Sequence, residues 1–121
     1  MRIGRLKETI TFPVRQAQVE DELLKFLAAQ PRPIVPDKVY GPLADRCGLS
    51  SVHRVVPRRN RSEPAWNNLV QQARRRLVNL GFIEKPPPWG LWSLTAAGRK
   101  RAQHLERGTV KSIDEDILAA T

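Results

Sequence analysis

The feature that most constrains this 121-residue sequence is a run of apolar residues, spaced three and four apart, between Pro64 and Gly81. This spacing places the apolar side chains on one face of an α-helix. Proline suits the first turn of a helix, and glycine suits the position after its end. We therefore predict a helix over 64–80 that must pack against the rest of the chain. Its apolar face consists of Trp66, Leu69, Val70, Ala73, Leu77 and Leu80.

Prolines and glycines divide the remaining chain into short elements. Proline breaks a helix, glycine often follows its last residue, and apolar runs beside turn residues indicate strands. Thr95 is expected to cap the last helix, and the prolines at 86–88 suit the tip of a hairpin. The predicted order is a helix over 15–29, a short strand at 34–35, a helix over 36–47, a polar loop over 49–63, the helix over 64–80, a hairpin over 82–94 and a helix over 95–107.

This order of elements predicts a fold that is mainly α with a small β-hairpin. It resembles a winged helix, a variant of the helix-turn-helix, with an extra C-terminal helix. We expect an extended lead-in over 1–14, the folded domain over 15–107 and a tail over 108–121. Trp66 and Trp92 are expected in the core, because each occupies an inward position of a regular element.

Positive charge is concentrated in the second half of the chain. The formal net charge is +9, from 21 Lys and Arg against 12 Asp and Glu. Residues 1–52 carry a net +2, residues 53–107 a net +9 and residues 108–121 a net −2. A surplus that spans a loop, two helices and a hairpin is typical of a nucleic-acid-binding surface. A protein of the membrane surface usually places such charge on one amphipathic helix.

Other classes of protein are excluded by missing patterns. No apolar run approaches the roughly 20 residues of a membrane-spanning helix, and no apolar segment follows the basic N-terminus as in a secretory signal. Cys47 is the one cysteine, so no intramolecular disulfide or zinc finger is expected. We find no convincing metal-ligand, nucleophile–base or paired-carboxylate pattern. We therefore expect no enzyme, no cofactor and a cytoplasmic location.

A closer likeness covers residues 64–98. The early Trp66, the segment Gly81-Phe82-Ile83-Glu84 and the stretch Gly90-Leu91-Trp92-Ser93-Leu94-Thr95-Ala96-Ala97-Gly98 resemble the N-terminal domain of Mrr-type restriction endonucleases. The chain departs from that family at Asn67, where alanine is usual, and at Trp89, where a basic residue is usual. The resemblance implies a module that binds double-stranded DNA and belongs to a restriction or other defence system.

The resemblance also implies a nuclease domain, which these 121 residues do not contain. In the family that domain chelates a metal through an Asp and a Glu/Gln-x-Lys motif. Asp114, Glu115 and Asp116 lack the accompanying lysine motif. We expect no nuclease activity from this chain. A separate or fused nuclease domain, or a second copy of the chain in a homodimer, stays open as a partner.

The helix over 64–80 is the candidate recognition helix for the major groove. Recognition helices read bases mainly with their N-terminal half, where amides can pair with adenine and guanidinium groups with guanine. The later arginines, the basic loop over 53–63 and the wing over 82–94 suit the DNA backbone. An aromatic side chain at the hairpin tip can stack on a base or sugar. The candidate DNA-binding residues are Arg58, Arg59, Arg61, Ser62, Asn67, Asn68, Gln71, Arg74, Arg75, Lys85 and Trp89.

Two other functions fit the same pattern. A small helix-turn-helix transcriptional regulator would bind two half-sites as a dimer. A protein–protein adaptor is the second, because a fold does not determine its function. Weak, salt-insensitive binding to DNA would favour the adaptor. For every candidate residue, the alternative interpretation is a solvated polar surface.

We predict that replacing Arg58, Arg59 and Arg61 with Ala weakens binding to every duplex. Each lost phosphate contact lowers the slope of log affinity against log salt by about 0.9. A gel-shift titration at several salt concentrations measures both effects. Unchanged affinity would contradict a role for this loop in binding phosphate.

Overall fold

A computed structural model of the chain describes residues 13–57, 64–85 and 90–107. Most of the expected lead-in, the tail over 108–121 and the prolines at 86–88 lie outside the described residues. The described part is mainly helical with little strand. Its helices are α1 (Gln16–Ala28), α2 (Tyr40–Arg46), α3 (Ser51–Val55), α4 (Ala65–Asn79) and α5 (96–107), with a 3₁₀ turn at Pro36–Lys38. Within the described ranges, no helix combines the length and apolar character needed to cross a membrane.

The core is built on the contact between α1 and α4, the most extensive among the elements from α1 to α4. α4 corresponds closely to the helix predicted over 64–80. Its inward side chains are at most 2% exposed: Trp66, Val70, Ala73 and Leu77. Leu80 was expected on the same face but is 49% exposed, because it lies at the C-cap, past the last residue of the helix.

The helix predicted over 36–47 is divided in the structure. A 3₁₀ turn at Pro36–Lys38 comes first, and α2 begins only at Tyr40. Pro42 therefore falls in the first turn of α2, where its missing N–H would have no helical acceptor in any case. Val39, Leu43 and Ala44 face inward and are all fully buried.

The loop predicted over 49–63 is wrong in its first part, because residues 51–55 form α3. Ser50 caps this helix by accepting a hydrogen bond from the His53 amide, and the His53 ring accepts one from the Ser50 amide. Arg54 donates to Asp45 at 2.6 Å and to the Leu49 carbonyl at 3.0 Å. These contacts hold α3 against the end of α2 and commit one arginine of the predicted basic loop to the fold.

Strand pairing in the described part consists of isolated antiparallel bridges. Ile34 pairs with Trp92 through two backbone hydrogen bonds of 3.0 and 2.8 Å, and Ile83 pairs with Leu94. The segment at Ile34, which precedes the 3₁₀ turn, thereby lies beside the two segments expected to form the hairpin. A third bridge joins Pro57 to Pro64. No extended strand is present among the described residues.

A polar junction joins the end of α4 to the start of α5. The Thr95 hydroxyl donates to the Gly81 carbonyl at 2.6 Å and accepts from the Gly98 amide at 2.9 Å, so the expected cap is confirmed. Gly98 lies so close to the Phe82 backbone that an added Cβ would overlap the Phe82 carbonyl oxygen. This contact requires a residue without a Cβ at position 98. Ala96, in the first turn of α5, is exposed.

Cys47 lies in the core beside the end of α2. Burial, with a smaller contribution from the Glu22 carboxylate, raises the pKa of the Cys47 thiol from 9.0 to about 11. The thiol is therefore protonated at neutral pH and acts as a small apolar side chain.

We predict that Gly98→Ala lowers the free energy of unfolding by at least about 1 kcal/mol, because the backbone must shift to relieve the overlap. Gly41→Ala is the matched control in α2, where an added Cβ would meet nothing within 4 Å. Alanine favours a helix over glycine, so the control is expected to keep or raise stability. Urea denaturation compares the two, and equal stabilities would contradict the close contact.

We also predict that Cys47 reacts slowly with thiol reagents in the native protein. The raised pKa reduces the thiolate fraction at pH 8 about 100-fold relative to an exposed thiol, since each pKa unit is a factor of ten. Iodoacetamide labelling with and without urea measures the difference. Equal rates in the two conditions would show that the thiol is accessible and ionised in the fold.

Candidate nucleic-acid interface

The helical repeat sorts the candidate residues of α4 into two groups. A helix turns about 100° per residue, so Asn68 and Arg75 point away from the buried face. Asn67, Gln71 and Arg74 lie on the flank between the buried and outward faces. Lys85 is exposed and lies two residues after Ile83, which pairs with Leu94. Five candidates lie outside the described residues: Arg58, Arg59, Arg61, Ser62 and Trp89.

Arg74, expected to contact phosphate, packs on an aromatic ring in the fold. The central carbon of its guanidinium lies 5.3 Å from the centroid of the Trp92 ring, and its buried Nε has no hydrogen-bond partner among the described residues. Desolvation, followed by repulsion from Arg75, lowers the pKa of Arg74 from its usual value. The face of the indole ring compensates part of this cost, because its negative quadrupole attracts a cation.

Gln71 is held by a residue that the sequence did not single out. Its amide Nε2 donates a hydrogen bond to the hydroxyl of Tyr40, at the start of α2. The Tyr40 ring stands edge-on to Trp92, at a centroid distance of 6.4 Å and an angle of 86°. The flank of α4 therefore carries a connected cluster of two aromatic and two polar side chains. Only the tertiary fold brings Tyr40 to α4, so no local pattern in the sequence marks it.

Arg75 and Arg76 are adjacent in sequence but differ in their surroundings. Arg75 is exposed on the outward face and makes no side-chain hydrogen bond or ion pair with the rest of the described chain. Arg76 points to the opposite flank, where its Nε lies 3.2 Å from a carboxylate oxygen of Glu20 on α1. One arginine is thus available to a ligand and the other belongs to an internal ion pair.

Two of the three acidic residues of α1, Glu20 and Glu22, form ion pairs with basic side chains. Glu22 forms ion pairs with Lys25 at 3.0 Å and with Arg46 of α2 at 3.1 Å. The α4 sequence AWNNLVQQARRRLVN contains no acidic residue at all. Negative charge in this part of the fold is therefore on the α1 side of the core, and the outward face of α4 stays positive.

The start of α4 is also where the basic loop begins and ends. Pro57 and Pro64 form an antiparallel bridge, and the Ala65 amide donates to the Val56 carbonyl at 2.8 Å. Residues 58–63, which include three arginines, connect these two neighbouring points. The loop's attachment therefore lies directly beside Asn67 and Asn68, the first polar residues of α4.

A cavity of about 360 Å³ lies between α1, α2 and α5, away from this interface. Its lining includes Asp21, Lys25 and Cys47. Burial raises the pKa of the Asp21 carboxyl, and the Arg101 side chain partly opposes this effect. In the described ranges, no group of three or more His, Cys, Asp or Glu side chains is placed to hold a metal ion.

Comparisons with models of protein families, with curated proteins and with solved structures found no match to this chain.

Proposed function

We propose that this chain is a winged-helix module that binds double-stranded DNA, with α4 in the major groove. The observation that carries this proposal is the composition of α4's exposed surface, which offers amide and guanidinium groups and no carboxylate. Amides and guanidinium groups match the acceptors and donors on base edges, and guanidinium groups also match phosphate. An amphipathic helix with such a face suits the groove of a duplex.

The arrangement of elements supports the winged-helix assignment. α1, the segment at Ile34, α2, α3, α4 and the paired segments around Ile83 and Leu94 follow one another in the order of that fold. The helix that directly precedes the paired segments is α4, which is the position of a recognition helix. In this assignment Lys85 lies in the wing over 82–94 and contacts the sugar–phosphate backbone.

The basic loop is proposed to bind phosphates beside the start of α4. Its two attachment points, Pro57 and Pro64, lie together at the end of the helix that enters the groove. Arg58, Arg59 and Arg61 would then meet the backbone next to the bases that Asn67 and Asn68 face. Electrostatic contacts of this kind supply much of the affinity for any duplex.

The biological setting is proposed from the family resemblance. A restriction or other defence system would use this chain to deliver a nuclease domain, fused or separate, to DNA. We assign no catalysis to the chain itself. A transcriptional regulator would use the same interface as a homodimer on two half-sites, and size measurement on and off DNA distinguishes the two settings.

A protein-binding adaptor is the second candidate function. It is favoured by the exposed apolar side chains of α3, where Val52 is 57% and Val55 is 71% exposed. These residues are three apart and so share one face of the helix. Replacing both valines with Ser should leave DNA affinity unchanged if α4 is the functional surface. Weak DNA binding that is insensitive to salt would favour the adaptor.

Arg75→Gln and Arg76→Gln form a matched pair that tests the proposed surface. Both remove one positive charge from adjacent positions of the same helix. We predict that Arg75→Gln weakens binding to a duplex and lowers the salt slope by about 0.9. Arg76→Gln should retain most of the affinity, because Arg76 is already paired with Glu20.

Fluorescence polarisation with a labelled duplex, repeated across a range of salt concentrations, gives the affinity and the slope. Equal losses in the two variants would indicate that only net charge matters. A wild-type protein that binds no duplex at low salt would contradict the proposed function.

A further inference from the structure

The backbone of Tyr40 is held in place by a hydrogen bond from a buried tryptophan. Tyr40 is the first residue of α2, and its carbonyl oxygen accepts a 2.9 Å hydrogen bond from the Trp66 indole Nε1. Trp66 is 1% exposed and lies in the first turn of α4. The Cα of Tyr40 therefore keeps a fixed position relative to the start of α4.

The Tyr40 ring is supported by a second tryptophan. Trp92, which is 2% exposed, presents its ring to the edge of Tyr40. Two backbone hydrogen bonds to Ile34 hold Trp92 in turn. Edge-to-face pairs stabilise two aromatic rings beyond the burial of their area, and they define an orientation. These contacts place the Tyr40 hydroxyl beside the middle of α4.

At that point the hydroxyl meets Gln71. A free glutamine samples several rotamers and can present either end of its amide to a partner, so ordering it costs binding energy. The bond between the Gln71 amide and the Tyr40 hydroxyl restrains the rotamer of Gln71. Within the described ranges, one N–H and the carbonyl oxygen of Gln71 have no other partner, and these two groups together pair with N7 and N6 of adenine.

We propose that Tyr40 is a positioning residue that holds the Gln71 amide ready to read an adenine in the major groove. This inference rests on the proposed function, because it requires α4 to enter that groove. Tyr40 itself makes no contact with the base. Its contribution is to lower the entropic cost of ordering the Gln71 side chain when that side chain meets a base.

Tyr40→Phe tests the proposal, because it removes the hydroxyl and keeps the ring against Trp92. Selection from a random duplex library gives the preferred base at each position for the wild-type protein, Tyr40→Phe and Gln71→Ala. We expect a preference for adenine at one position in the wild type. Tyr40→Phe should lower that preference at least about fivefold, within the range that one bidentate pair supplies. The salt slope should stay unchanged, since no charge is lost.

A double-mutant cycle separates positioning from a general structural effect. Tyr40→Phe in the Gln71→Ala background should cause no further loss of selectivity, because the group that it positions is gone. Gln72→Ala is the control, since this neighbouring amide has no bond to Tyr40 among the described residues. Its effect should add to that of Tyr40→Phe. Thermal unfolding should show that Tyr40→Phe stays folded.

The outcomes distinguish this inference from the function on which it depends. Salt-dependent duplex binding with no adenine preference, or with a preference that Tyr40→Phe leaves intact, overturns the positioning role and leaves DNA binding in place. Additive losses for Tyr40→Phe and Gln71→Ala also overturn it. Absence of salt-dependent binding by the wild-type protein overturns both.

Discussion

The contact of α4 with α1 determines where the other side chains of α4 point. The inward stripe of α4 is narrow, and Ala73 at its middle lets the two backbones approach closely. Rotating α4 would expose Trp66 or Leu77, and each buried side chain of this size stabilises the fold by about 1.5–3 kcal/mol. Burial of the apolar face of α4 therefore keeps the polar face of the same helix turned towards solvent. Arg75 is exposed as a consequence of packing on the far side of its own helix.

Polar contacts then hold α4 along its axis. At its start, the Trp66 indole donates to the Tyr40 carbonyl, and at its end Thr95 binds the Gly81 carbonyl. The second contact is made by the residue that also caps α5. One hydroxyl thus fixes the end of one helix and the start of the next. A helix restrained at both ends loses little further entropy when it binds a partner.

Long periodic elements were predictable from the sequence, and contacts between distant elements were not. α1 and α4 have apolar residues at helical spacing over several turns, so their positions could be predicted within a residue or two. α3 has only five residues and exposes Val52 and Val55, so its sequence carries no buried face to detect. Arg74 and Arg75 look equivalent in sequence. In the fold, Arg74 stacks on Trp92 and Arg75 is exposed, and the sequence does not show that Trp92 lies beside Arg74.

The bridge between Pro57 and Pro64 gives the chain a modular boundary. This bridge and the hydrogen bond from the Ala65 amide to the Val56 carbonyl hold the two ends of the segment 58–63 together at the start of α4. Doubling the length of a loop costs only about 0.6 kcal/mol. Residues 58–63 can therefore be lengthened, shortened or exchanged while the helix keeps its place. Evolution or an engineer could adjust the reach of the arginines separately from the helix beside them.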